Sequence, residues 1–313
     1  ISNKLSEVMS MEENYKKEYF STLENEIKEI KEGKQGYKGL LFSIRHGYFD
    51  LLCDIELEKA YKNNDLQTIK NFYYQFARSN LFQFSSGGYD HCFDISEALY
   101  LLGCDEYDTV FRIYPKGIPL SKKGYTMYVV ATNLLLCILY NTDKDEFYPI
   151  KKVKEKAEKF LLTKKPAFEK GLVKALLGIL EQNIEYVSDG LDVLCKNFGR
   201  ASYSKALKYH CFLSYGIVVL AYHFFPEEMF KQIKFPGSNN FSKEYIINFL
   251  NGVYKNEPLY EFSGNLEVVK RLITKPVRIT RTIPEFVVNE RKMIEKKVEY
   301  DKDKMREEFL ADI

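Results

Sequence analysis

The densest grouping of chemistry-bearing residues is GGYDHCFDISE at 87–97 followed by CDEYD at 104–108, which together carry Asp90, His91, Asp94, Glu97, Asp105, Glu106 and Asp108. Carboxylates this close in sequence can share a proton, act as an acid and base pair, or hold Mg²⁺. They can equally form an acidic face for a protein partner. A third reading is structural, with Asp94 as an N-cap, Asp105 opening the next helix and the others solvated. Read as a partner-binding face, the group comprises Tyr89, Asp90, Asp94, Glu97, Asp105, Glu106, Tyr107 and Asp108.

Other catalytic signatures are missing from the chain. There is no GxxxxGK[ST] to cradle a triphosphate, no GxGxxG after a strand, no HExxH and no GxSxG. His46, His91, His210 and His223 share no metal-ligand spacing, and no Arg precedes a His by the four to six residues expected of a helical ribonuclease. The six cysteines, Cys53, Cys92, Cys104, Cys137, Cys195 and Cys211, lie 39, 12, 33, 58 and 16 residues apart, without a zinc or redox pair. Most sit in apolar runs, as buried thiols in a reducing cytoplasm would. No cofactor and no metal is expected.

Charge separates along the chain. Residues 1–110 carry 12 Lys and Arg against 19 Asp and Glu, a net of −7, and residues 111–313 carry 34 against 25, a net of +9, which give the +2 of the whole. Lys and Arg are dense over 151–174, a run that could track phosphates. Glu155, Glu158 and Glu169 interleave there at helical spacing, which predicts ordinary intrahelical ion pairs, and no stacking aromatics alternate with the lysines. Nucleic-acid binding is therefore not expected. Nor is a membrane: the longest apolar stretch, 211–225, has 15 residues with Ser214, Gly216 and His223 inside it, short of the roughly 20 a bilayer requires. No secretory signal is visible, and Ile1 reads as a trimmed or renumbered start.

The elements that must position these residues are helices. With 45% apolar and 29% charged residues, and only nine Pro and 17 Gly in 313 positions, the chain reads as a folded all-α protein. Apolar residues at steps of three and four predict a helix over 4–32 and a continued pattern over 39–62; Asn63, Asn64 and Asp65 cap another over 66–79. Asp94 with Glu97 reads as a capping box for a helix closed by Gly103, and a short helix follows over 105–113. Further helices are predicted over 124–141, 145–163, 166–182, 184–198, 203–224, 226–233 and 242–254. They form a loosely repeat-like array of antiparallel helices, a single domain over 1–254. Beyond it, 255–313 reads as an extended arm with Val277, Ile279 and Ile283 spaced like a strand, then a charged helix over 288–311. The arm is either a solvated tail or a dimerisation or partner-binding device. The 24 Tyr and 23 Phe, with no Trp, suit both a core and an interface.

One family resemblance emerges at 166–225. PAFEKGLVKALLGILEQN leads to a helix ending in LDVLCKNF, and after a short polar stretch comes YSKALKYHCFLSYGIVVLAYHFF, with a small residue and Ala at its centre. This order resembles the C-terminal half of the immunity protein 49 family of bacterial polymorphic toxin systems. Upstream, ISEALYLLGCDEYDTVFRI is similar to that family's Ala- and Leu-rich helix with its acidic turn, and NLLLCILYNTDKDEF to the helix after it. The resemblance spans about residues 90–250 and extends to related helical toxin-immunity proteins. It implies a cytoplasmic, non-catalytic protein, monomer or homodimer, that binds a cognate toxin, for instance a nuclease. The runners-up are a metal-dependent or nucleic-acid-acting defence enzyme on the same helices, and a helical-repeat scaffold that binds other proteins.

Overall fold

Apolar positions recurring at steps of four and three wind the N-terminal residues into one long helix whose Tyr19, Leu23 and Ile27 are buried. A computed structural model describes residues 2–81, 89–141, 146–275, 281–282, 299–300 and 311. In chain order the helices are α1 (Ser2–Lys31), α2 (Lys38–Arg45), α3 (Tyr48–Lys62), α4 (Leu66–Asn80), α5 (Ile95–Gly103), α6 (Tyr107–Ile113) and α7 (Thr126–Tyr140). There follow α8 (Ile150–Leu161), α9 (Ala167–Leu180), α10 (Ile184–Asn197), α11 (Phe212–Phe224), α12 (Glu227–Phe230), α13 (Lys243–Leu250) and α14 (Glu267–Thr274). The domain is all-α.

At the centre lie α5 and α11, largely buried, with half-buried Glu97 on α5 and exposed Tyr222 and His223 at the end of α11. Gly216 lets them touch: a Cβ there would sit 2.0 Å from the carbonyl oxygen of Leu99. α9 packs along α10 and lies between it and α7, with α8 on the outside of α7 and α9. Short connections make these neighbours antiparallel, as the sequence pattern predicts. Asp65 caps α4 by accepting from the Thr68 N–H at 3.0 Å. All six cysteines are buried and unlinked.

Several expectations are corrected. The pattern over 39–62 is two helices, because Gly47 takes φ 70° between α2 and α3. The helix expected over 203–224 begins only at Phe212. Ahead of it the Cys211 N–H goes to the carbonyl of Asn240 at 2.8 Å, and the Tyr73 hydroxyl donates to the carbonyl of Leu207 at 3.3 Å, so tertiary contacts outbid the local ladder. No capping box forms: the Asp94 side chain makes no bond to the first turn of α5, and Glu97 turns to α4 instead. The stretch after 254 is no separate arm at first, since Tyr260, Phe262, Leu266, Val269 and Leu272 join the core and α14 docks on α4. Further on, Arg281–Thr282 and Glu299–Tyr300 pair as antiparallel strands β1 and β2. Glu299 and Tyr300 thus depart from the helix expected over 288–311, giving β1 the partner a strand requires. Val277, Ile279, Ile283 and the rest of that stretch lie outside the described residues.

Candidate functional site

The eight residues of the acidic segment divide sharply by what each carboxylate touches. Asp90 caps the 3₁₀ turn His91–Asp94, accepting from the Cys92 N–H at 3.0 Å. It also accepts from the Ser121 hydroxyl at 2.6 Å and the N–H groups of Lys122 and Lys123 at 2.7 and 2.9 Å. Burial pushes its carboxyl upward, but these donors outweigh burial and hold it at about 2. Asp90 therefore fastens the turn to the loop before α7. Tyr89, half-buried beside it, packs its ring 6.4 Å from Phe93 and 6.3 Å from Tyr128. Asp94 is buried.

Glu97 is half-buried at the end of a relay. Asn80 donates to its Oε1 at 2.9 Å, and Asn80 in turn accepts from Arg45 Nε at 2.6 Å. Burial, and then the charge of Asp94, push its carboxyl up to about 7, against the weaker pull of its own backbone N–H, Asn80 and Arg45. Glu106 is equally committed, with Arg78 at 3.2 Å, the Thr109 hydroxyl at 2.7 Å and Asn256 at 3.2 Å. Arg78 itself is 1% exposed and donates to the carbonyl of Ile273 at 2.7 Å and to that of Lys275, so this cluster locks α4, α6 and α14 together.

Only Asp105, Tyr107 and Asp108 reach the surface as a group. Asp105, in the tight turn between α5 and α6 at φ 65°, is exposed, as is Asp108 in the first turn of α6. Between them the Tyr107 ring stacks on His223 at 4.3 Å and meets the edge of Phe111 at 5.0 Å. Tyr222, 46% exposed, lies edge-on to His223 at 5.6 Å and to Phe230 at 5.2 Å. Burial pushes the His223 imidazole below its ordinary value, and the nearby Asp105 carboxylate opposes this in part. Exposed Glu227 and Glu228 open α12 next door and share Lys231, at 2.7 and 3.1 Å. The result is an aromatic centre with carboxylates around it, assembled from α6 and the C-terminal end of α11. Tyr222 and His223 escape a sequence reading; the signal was YHFF at the open end of an otherwise buried helix.

Buried thiols and the buried His210 imidazole lie outside this surface. Burial raises the thiols of Cys92, Cys104 and Cys137 to about 12, far from the thiolate range. His210 sits 3.0 Å from the Tyr215 hydroxyl and burial lowers it to about 4. Among the described residues no three His, Cys, Asp or Glu side chains converge to hold a metal ion, and no helix is long and apolar enough to cross a membrane. Compared as a sequence with models of protein families and with curated proteins, and as a structure with solved ones, the chain matches none of them.

Proposed function

We propose that this chain is an immunity protein, which binds and neutralises a cognate bacterial toxin without catalysis. The observation that carries the reading is the surface where Tyr107 stacks on His223, with Tyr222 edge-on to it, beside the exposed carboxylates of Asp105 and Asp108. Aromatic anchors surrounded by polar groups are the usual composition of a binding hot spot. A toxin that attacks nucleic acid has a basic active site, and carboxylates at the rim accelerate encounter with such a surface. The resemblance over residues 90–250 supports the same assignment, because α11 supplies half of the aromatic centre. Buried, unlinked thiols are compatible with work in a reducing cytoplasm.

The test begins with a tagged copy expressed in the bacterium of origin and isolated in moderate salt, with its stoichiometric partner identified by mass spectrometry. Titration calorimetry with the purified partner then compares wild type with Asp105→Lys/Asp108→Lys and with Tyr222→Ala. A toxin-domain partner is expected, bound at least about tenfold more weakly by the charge reversal, with a flatter salt dependence. Unchanged affinity at low salt, or no toxin-like partner, defeats the reading.

A second reading draws on Glu97, whose carboxyl near neutrality suits general acid and base work. It predicts a hydrolytic activity lost in Glu97→Gln, and a screen of the purified protein against nucleic-acid substrates with divalent metal tests it.

A further inference from the structure

The lysine-rich helix α8 does not neutralise itself. Among the described residues its one ion pair is Lys154 with Glu181, at 2.6 Å, just past the end of α9. The expected intrahelical partners are elsewhere: Glu155 and Glu158 are exposed, and Glu169 is buried, accepting from the Tyr125 hydroxyl at 2.7 Å. Val153, Ala157 and Phe160 form the buried face. The Lys154 pair turns one edge of that face toward α9, so the opposite edge turns toward α7. On it Lys152, Lys156 and Lys159 recur at steps of four and three, all exposed. Glu158 falls on the α9 side of the crest, and Glu155 lies on the crest itself, beside the lysine row but in no ion pair with it.

An exposed ring marks each end of this lysine row. Just ahead of α8, Phe147 is 43% exposed with Lys116 Nζ 5.2 Å from its centroid. At the far end, where α7 begins, Tyr125 is 37% exposed with Lys165 Nζ 5.1 Å above it. The helix between spans about 18 Å at 1.5 Å per residue. Rings that accept a base face, joined by cations that follow a backbone, are the elements of a single-strand platform. A duplex keeps its bases stacked and offers nothing to the rings. A membrane would need the apolar face of α8, which is spent on α7 and α9.

We propose that the α8 ridge, from Phe147 to Tyr125, binds single-stranded nucleic acid a few nucleotides long, with Lys152, Lys156 and Lys159 on phosphates and the two rings on bases. This reverses the expectation from the sequence and stands independently of the toxin-binding surface.

The test is fluorescence anisotropy of a fluorescein-labelled dT12 strand and its U12 counterpart titrated with the full chain from 50 to 300 mM salt. With Lys116 and Lys165 beside the rings joining the three ridge lysines, about five phosphates are neutralised, and the log–log salt slope should be about −3.5. Lys152→Glu/Lys156→Glu/Lys159→Glu should cut affinity at least tenfold at 50 mM salt and flatten the slope by about 2. Phe147→Ala/Tyr125→Ala should weaken binding about tenfold or more while leaving the slope alone. Lys17→Glu/Lys28→Glu/Lys31→Glu on α1 makes the same change in net charge and should bind as wild type; circular dichroism melts verify that each variant is folded. The proposal is overturned if no binding occurs at 50 mM salt, if the α1 variant loses as much as the α8 variant, or if duplex binds more tightly. It is also overturned if polyphosphate or anionic vesicles compete as well as the strand and the ring substitutions are silent, since the ridge is then a plain polyanion site.

Discussion

Replacing Glu97 by Gln should stabilise this protein, and more so as pH rises. The carboxyl has Asp94 beside it and Arg45 held one residue away by Asn80, and the hydroxyls of Tyr100, Tyr128 and Tyr203 face it without a compensating cation. Its proton is therefore bound more tightly folded, at about 7, than unfolded, at 4.5. The folded state then holds more protons than the unfolded state between those values, so stability falls as pH rises through that window and levels off above it. At about 1.4 kcal/mol per tenfold change in proton affinity, the full cost above pH 8 is about 3 kcal/mol, of which less than 1 kcal/mol is already present at pH 5. Gln keeps an oxygen for the Asn80 amide and carries no charge. Urea unfolding of both proteins at pH 5 and pH 8.5 reads the effect as the change in Glu97→Gln minus wild type between the two conditions. A gain of about 2 kcal/mol on going to the higher pH is expected. A difference that is equal at both values would refute the reasoning, because Glu97 would then titrate as an ordinary solvated carboxyl.

Three further perturbations separate the other structural claims. Asp90→Asn keeps the shape but loses the charge that Ser121, Cys92, Lys122 and Lys123 solvate; with its carboxyl held at about 2 against 3.8 unfolded, it should cost about 2 kcal/mol at pH 7 and about half that at pH 3, read from denaturant midpoints. Gly216→Ala places a methyl 2.0 Å from the Leu99 carbonyl oxygen and should cost about 3 kcal/mol or more; a midpoint within 0.5 kcal/mol of wild type would mean that α5 and α11 are not in backbone contact. Arg78→Met strands Glu106 and the Ile273 carbonyl and should cost about 3–5 kcal/mol, with hydrogen exchange in α14 accelerating before that in α9 and α10. Uniform loss of protection would show that Arg78 supports the whole core and not the α14 dock.

Helix periodicity was readable where one face of an element is apolar, as in α1, α4 and α10, and a long uninterrupted apolar run marked the buried α7, so these stand close to where the sequence puts them. It failed where tertiary hydrogen bonds compete. Residues 203–211 have helical composition, yet Cys211 and Leu207 are bonded to Asn240 and Tyr73, both remote in sequence. The same limit applies to the site. A carboxylate's type and spacing do not say which donors will surround it: Asp90 and Glu106 look in sequence like Asp105 and Asp108, and only the arrival of Ser121 and Arg78 distinguishes fastener from surface. Tyr222 and His223 were hard to single out because α11 is buried from Phe212 to Ala221, and only its last turn emerges from the core.

Charge illustrates the point further. A balanced total and interleaved Glu and Lys on α8 argue against an anion-binding face, but an α-helix sorts residues by angle. Positions 152, 156 and 159 share one edge, 158 falls on the other and 155 on the crest between them, and the Lys154–Glu181 pair fixes which edge looks outward over α7. Ring contacts then tie that edge to the acidic surface. Phe147 packs on Tyr148 at 4.9 Å, Tyr148 on Tyr140 at 6.3 Å, Tyr140 on Phe111 at 5.7 Å and Phe111 on Tyr107 at 5.0 Å. The lysine ridge and the aromatic centre beside Asp105 are thus two ends of one packed aromatic row, rigid because each ring is fixed by the next. The abundance of Tyr and Phe is thus spent on the core and, under the two proposals, on interfaces as well. The middle of the row is core, and its ends are the two surfaces where a partner would meet a ring with charge beside it.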